Sequence, residues 1–295
     1  MTATGYVHGY SGREAYRLGD QADTLAELLH AGTAYPAGSR VLEVGCGVGA
    51  QTVHLVAANP GVHIVAFDVA EDSLAQARAR VAAHAPGADV EWHRADLFDL
   101  PFADATFDHL FVCFVLEHLP DPRRALAVLG RVLRPGGTIT VIEGDHGSAF
   151  FHPDSADAHA AIDCQVRLQS AAGGNALIGR QLQPLLAAAG YHDVVVHPRA
   201  VYADGSRPGL VEGFTRNTFT AMIESVRDDA LAAGLIGEGG WDRGIADLHR
   251  TAQAGGTFCY TFFKAVAVAP PSTRLLADPP AQTRMTDVSR FRLDG

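Results

Sequence analysis

The chain has 295 residues, 47% of them hydrophobic and 19% charged, with a formal net charge of −10. That balance fits a soluble globular protein with one large domain, or a core of about 200 residues with an addition. The acidic surplus and the presence of a single lysine, Lys264, exclude a nucleic-acid partner, because phosphate binding needs a cationic surface that releases counterions.

No apolar run approaches the roughly 18 residues of a membrane span, so no membrane association is expected. No basic region leads into an apolar stretch at the start, so the cytoplasm is the expected compartment. The four cysteines (Cys46, Cys113, Cys164, Cys259) form no C-x-x-C pair and read as buried thiols in a reducing environment. The histidines follow no metal-ligand spacing, so no metal is expected.

Residues 1–38 begin polar and then show helical spacing at Tyr16, Leu18, Ala22, Leu25, Leu28 and Leu29; they read as an N-terminal helical lid. Residues 39–200 read as the core. Strands are expected at Arg40–Val44, His63–Phe67, Val90–His93, His109–Phe114 and Thr138–Ile142. They alternate with helices at Val48–Ala58, Glu71–His84 and Pro122–Leu133. Such alternation implies a doubly wound α/β architecture with a parallel sheet covered on both faces. Further on, helices are expected at Ser155–Ala172 (within a cap over 151–175) and Ala176–Ala189, with a sixth strand at Asp193–His197. Residues 201–256 read as a helical substrate lid, with helices over Glu212–Ala233 and Trp241–Ala254. Thr257–Val268 alternates as a last core strand within 257–269, and residues 270–295 read as a disordered tail.

The run from Val41 to Gly49 is a buried strand feeding the turn Gly45-Cys46-Gly47-Val48-Gly49 and then a helix. Glycines let a backbone approach a ligand closely, and the helix start presents unpaired N–H groups. A dinucleotide fingerprint would be spaced G-x-G-x-x-G; here the spacing is G-x-G-x-G, and Glu43 precedes it. An acid there repels a pyrophosphate and suits an ammonium. Asp68 closes the second strand, where a carboxylate can accept from ribose hydroxyls, with Val69 beside it. Asp96 and Leu97 follow the third strand, placed for an adenine amino group and ring. Glu43, Asp68 and Asp96 thus sit at successive strand ends, the edge where open α/β sheets bind ligands.

These segments, with Phe107-Asp108, Leu116-Glu117-His118 and Leu133-Arg134-Pro135-Gly136-Gly137, resemble the ordered motifs of class I S-adenosylmethionine (SAM)-dependent methyltransferases. The nearest group looks like the small-molecule enzymes related to ubiquinone and menaquinone biosynthesis. The resemblance covers about residues 39–145. It implies a seven-stranded Rossmann-like sheet with an antiparallel last strand, and SAM as cofactor. Glu43, Gly45, Cys46, Gly47 and Gly49 would face its methionine portion, Asp68 and Val69 the ribose side, and Asp96 and Leu97 the adenine. Backbone at Cys113 and Phe114 would accept from the ammonium, with His118 close by.

Specificity is expected to lie in the segments over the strand ends. Tyr10, in Gly5–Ser11, is a candidate for touching cofactor or substrate and for catalysis, and Gln21 a candidate for the methionine carboxylate. His146, in Glu143-Gly144-Asp145-His146-Gly147-Ser148, is a candidate general base in a loop after the fifth strand. Tyr10-Ser11, Gln21 and Glu143–His146 also look like actinobacterial natural-product methyltransferases, including the type that methylates a prenyl carbon of an indole alkaloid. That resemblance implies a homo-oligomer. The expected acceptor is a small, largely apolar metabolite, with carbon slightly favoured over oxygen. A nicotinamide-dependent oxidoreductase and a non-catalytic SAM-binding protein remain open alternatives.

Overall fold

In the computed structural model, which describes residues 12–269, seven strands form one sheet in the order β3-β2-β1-β4-β5-β7-β6. They are β1 (Arg40–Val44), β2 (His63–Asp68), β3 (Val90–Arg94), β4 (Phe107–Cys113), β5 (Leu133–His152), β6 (His192–Ala203) and β7 (Thr257–Val268). The first five run parallel; β7 runs antiparallel to both β5 and β6. This is the doubly wound α/β fold expected from the alternation of elements.

Strand alternation divides the core in two. Val41, Ile64, Ala66, Phe111 and Ile142 face one side, where α1 (Gly12–His30), α2 (Ala50–Ala58) and α3 (Glu71–His84) supply Leu25, Leu29, Leu55 and Leu74. Leu42, Val44, Val65, Leu110, Val112 and Val141 face the other, against α4 (Pro122–Val132) and α6 (Leu182–Ala188). Buried on both faces, β1, β2 and β4 read as near-continuous apolar runs. Asp121 caps α4 by accepting from the Arg124 N–H at 2.9 Å, and Pro122 sits where its missing N–H costs nothing.

Several elements depart from the sequence reading. The fifth strand continues to His152, because β7 is long enough to pair with it at both ends. Between Asp145 and Phe150 β5 carries three more residues than β7 opposite, so the expected loop at Glu143–Ser148 is a bulge inside a strand. Ser148 Oγ fills the interrupted ladder by accepting from the Thr261 N–H at 2.9 Å. Strand β6 runs to Ala203 and crosses the expected boundary at residue 200.

The helix expected over Glu212–Ala233 is instead a run of Pro208–Leu210 (α7), a π-helical stretch Val211–Thr220, Ala221–Glu224 (α8) and a separate Arg227–Ala232 (α9). Its wider winding brings Phe214 and Phe219 together inside the core. Ala176–Ala189 divides into a 3-10 turn, Ile178–Gln181, and α6. The helices α5 (Ala156–Ala171) and α10 (Glu238–Thr251) pack on each other: Gly244 touches the Asp157 backbone, and Arg243 grips the Asp157 carboxylate. Tyr10 and residues 270–295 lie outside the described residues. Among those described, no helix is long and apolar enough to cross a membrane.

Candidate functional site

The glycine turn leaves β1 with Gly45, Gly47 and Gly49 all at positive φ (62°, 52° and 74°), a conformation that L side chains rarely adopt. The three differ in surroundings. A Cβ on Gly49 would stand 2.8 Å from the Ala77 backbone of α3, and one on Gly45 2.9 Å from Val115. A Cβ on Gly47 would meet nothing within 4 Å. Gly49 therefore serves helix packing, and Gly47 is where the turn lies open to a ligand.

Asp68, at the end of β2, ties this turn to the sheet. Its Oδ2 accepts from the Gly47 N–H and its Oδ1 from the Ala70 N–H, both at 2.9 Å. Burial pushes its carboxyl above the ordinary range, against the pull of those N–H groups. Val69 follows with 46% of its surface exposed, an apolar side chain left uncovered at the strand edge. Asp96 is exposed and accepts from the Phe98 N–H at 2.9 Å, whereas Leu97 is buried in the core beneath it.

Glu43 projects from β1 into the same region and is 2% exposed. Its Oε2 is buried with no hydrogen-bond partner among the described residues. Burial raises its carboxyl to about 8, against the pull of the neighbouring Thr52 hydroxyl. Cys46 is buried at the turn, and Cys113 closes β4 under the electrostatic influence of Glu143, Glu43 and Glu117. Both thiols are held well above their ordinary range, chiefly by burial. Phe114 then takes φ 58°, a strained value for a bulky residue, and its N–H donates to the Ile142 carbonyl at 2.9 Å. That reversal turns the chain at the strand end into the 3-10 turn Leu116–His118.

Glu143, wholly buried on β5, caps this turn: its Oε1 accepts from the Val115 and Leu116 N–H groups at 3.1 and 2.7 Å. Its Oε2 has no partner among the described residues. Burial and the charge of Glu117 push it well above the ordinary carboxylate range. Glu117 accepts from Gln169 of α5 at 3.4 Å and lies 3.5 Å from His118.

Beyond it, His146 leaves the β5 bulge, buried, with its Nδ1 2.8 Å from the Tyr260 hydroxyl. The neighbouring Asp145 is neutralised by Arg180 in a two-pronged ion pair at 2.5 and 2.7 Å. Tyr260 sits among Phe214, Phe219 and Phe262, with ring centroids 4.8–5.6 Å away, and Phe114 lies 5.5 Å from Phe262. Burial and the charges of Glu117, Asp145 and Glu143 push the phenol well above its ordinary range. Gly144 is a glycine because a Cβ there would stand 2.4 Å from the Tyr260 oxygen.

The structure thus brings Glu43, the glycine turn, Asp68, Cys113 and Phe114 to one edge of the sheet, with His146 on the neighbouring strand. Gln21 lies half-buried on α1. Sequence reading missed Tyr260 and the paired role of Glu117 and Glu143. The available signal for Tyr260 was Gly144, since glycine within a strand marks the close approach of another group. Among the described residues no group of three or more His, Cys, Asp or Glu could hold a metal ion.

Residues 42–141, which hold the turn, Asp68, Asp96 and β4, match the family model of the methyltransferase domain. The demethylmenaquinone methyltransferase of Clavibacter sepedonicus is 42% identical over 36% of this chain and 42% of its own. The 27-O-demethylrifamycin SV methyltransferase of Amycolatopsis mediterranei is 31% identical over 45% of this chain and 49% of its own. The chain spans about half the length of the curated relatives it matches. Among solved structures, phosphoethanolamine N-methyltransferase 2 of Haemonchus contortus, in complex with SAM, aligns over 89% of this chain and 57% of its own. The TM-score is 0.55 and the identity 17%, a likeness of fold. The family match therefore runs from β1 into β5, while α1 and the elements after residue 141 lie outside it.

Proposed function

We propose that the protein transfers a methyl group from SAM to a small, largely apolar acceptor, carbon being favoured over oxygen. The observation that carries this reading is the buried carboxyl of Glu43, whose Oε2 has no partner among the described residues, beside a glycine turn open at Gly47. A cationic ligand head satisfies such a carboxyl, and a pyrophosphate does not.

The residues present fit the cofactor. Glu43 and backbone at Cys113 and Phe114 would hold the methionine ammonium. Asp68 uses two of its roughly four lone-pair positions on backbone N–H groups, which leaves two for ribose hydroxyls. Val69 offers an exposed apolar face, and Asp96 an exposed carboxylate, on the adenine side. When bound, the cofactor supplies a methyl already activated on a sulfonium, so the protein chiefly orients the acceptor and excludes water. The names of the relatives, a demethylmenaquinone and a demethylrifamycin enzyme, support a small quinone-like or natural-product acceptor.

Where the acceptor must lose a proton, His146 acts through Tyr260. The phenol stays protonated, and in the tautomer that leaves Nδ1 without a proton it donates to that nitrogen, so that a proton taken up at the Tyr260 oxygen would pass on to the imidazole. Assembly as a homo-oligomer belongs to the same reading: β6 is an edge strand with Val195 and Tyr202 half exposed, and light scattering tests it.

Calorimetry decides the cofactor assignment. SAM binds in the micromolar range, and Asp68→Ala weakens it at least tenfold, about 1.4 kcal/mol. Unchanged affinity in that variant would remove the ribose assignment, and tighter binding of NAD(H) than of SAM would remove the whole reading.

A further inference from the structure

Methyl acceptors divide by charge. Phenolates, enolates and carboxylates lose negative charge as they react, and a site for them is served by cations. Amines in their free-base form and alkenes gain positive charge, and a site for them is served by carboxylates and aromatic faces.

The region past β4 is of the second kind. Glu143 is wholly buried with one oxygen unpartnered, and Glu117 is 9% exposed beside it. Both act electrostatically on Cys113, where the methionine end of the cofactor belongs, and on Tyr260. The rings of Phe114, Phe262 and Tyr260 follow one another at 5.5 and 4.8 Å, and Tyr260 leads on to His146. Among the described residues, two nearby cations have partners of their own. Arg180 is bound two-pronged to Asp145, and Lys264 donates to the carbonyls of Leu29 and Ala31 at the end of α1. His118, 3.5 Å from Glu117, is the titratable group facing it.

We propose that the acceptor subsite is built for positive charge. The acceptor is an uncharged nucleophile on an apolar skeleton, an amine nitrogen or an alkene carbon, that turns cationic as it takes the methyl group. Glu117 and Glu143 hold that charge against the rings of Phe114, Tyr260 and Phe262. The acceptor's electron pair forms the new bond to the methyl carbon, and the carbon–sulfur bond breaks with its pair going to sulfur. The positive charge passes from sulfonium to acceptor, and a proton then leaves the methylated cation for the Tyr260–His146 pair. No oxidant or further reactant is required.

The inference rests on the SAM-binding reading, and one titration separates the two. Benzyltrimethylammonium, a stand-in for the methylated cation, and phenylacetate, an anion of similar size, are each titrated by calorimetry into protein saturated with S-adenosylhomocysteine. The cation binds more tightly by roughly tenfold, and Glu117→Gln and Glu143→Gln each remove most of that preference. Retained affinity for S-adenosylhomocysteine shows that a variant is folded, and the wild-type comparison decides the matter by itself if one is not. Equal binding of the two probes, a preference for the anion, or no binding of the cation overturns the inference. Failure of the wild-type protein to bind S-adenosylhomocysteine overturns the cofactor reading instead.

Discussion

Replacing Glu43 by glutamine tests the centre of the site, because the same carboxyl is expected to weaken the cofactor-free protein and to bind the cofactor. Folding raises it from 4.5 to about 8, through burial that the neighbouring Thr52 hydroxyl offsets only in part. A carboxyl raised in the folded state carries no penalty below its unfolded value. Folding becomes progressively less favourable as the pH rises from about 4.5 to about 8, where the native state binds the extra proton. The full difference corresponds to about 5 kcal/mol, a ceiling that relaxation and water entry reduce to about half. Glu43→Gln, which cannot ionise, therefore leaves stability near wild type at pH 4.5. At pH 8.5 it raises the melting temperature of the cofactor-free protein by roughly 5–10 °C.

Cofactor binding runs the other way. An ammonium against Glu43 favours the carboxylate, so binding at pH 7 releases close to one proton in the wild type. The variant releases none there and binds SAM more weakly, by roughly tenfold. Thermal unfolding from pH 4.5 to 8.5 and calorimetry in buffers of different ionisation enthalpy measure both effects. A stabilisation equal at both ends of the pH range would refute the reasoning, as would proton release unaltered by the substitution.

The glycines give a paired test. Gly49→Ala forces a Cβ against the α3 backbone at positive φ and destabilises by about 3 kcal/mol. Gly47→Ala meets no atom among the described residues, so it costs only about 1 kcal/mol in unfolding but loses SAM affinity in calorimetry. Gly144→Ala drives a Cβ into the Tyr260 hydroxyl and lowers stability by about 2 kcal/mol; adding Tyr260→Phe restores most of it, which denaturant unfolding of the double mutant measures. Lys264→Met removes the donor to the Leu29 carbonyl and the Thr33 hydroxyl and leaves the Ala31 carbonyl with Arg199 alone. The expected loss is about 2 kcal/mol, with faster hydrogen exchange in the last turn of α1.

Elements whose local chemistry agrees with their tertiary role were legible in the chain. The helix at Glu71–His84 and the strand at Thr257–Val268 stand within their expected bounds, since the helix opens on Glu71 and Asp72 and the strand alternates along its length. The helix over Glu212–Ala233 misled because periodicity cannot reveal a π-helical winding that packing of Phe214 and Phe219 favours. The fifth strand misled because its outer half is held by β7, more than a hundred residues later.

The sequence by itself determined the glycine turn and the acids at three strand ends, because close approach and ligand charge demand those residue types in that order. Only the tertiary structure decided what each does. Leu97, expected at an adenine ring, lies in the core, and Gly49 makes room for α3 while Gly47 stays open. His146, expected alone in a loop, is paired with a tyrosine 114 residues away. Glu117 and Glu143 become an acidic pair only when β4 and β5 lie side by side. The electrostatic character of the acceptor subsite arises from burial and from which cations are already engaged, and neither is written in the order of residues along the chain.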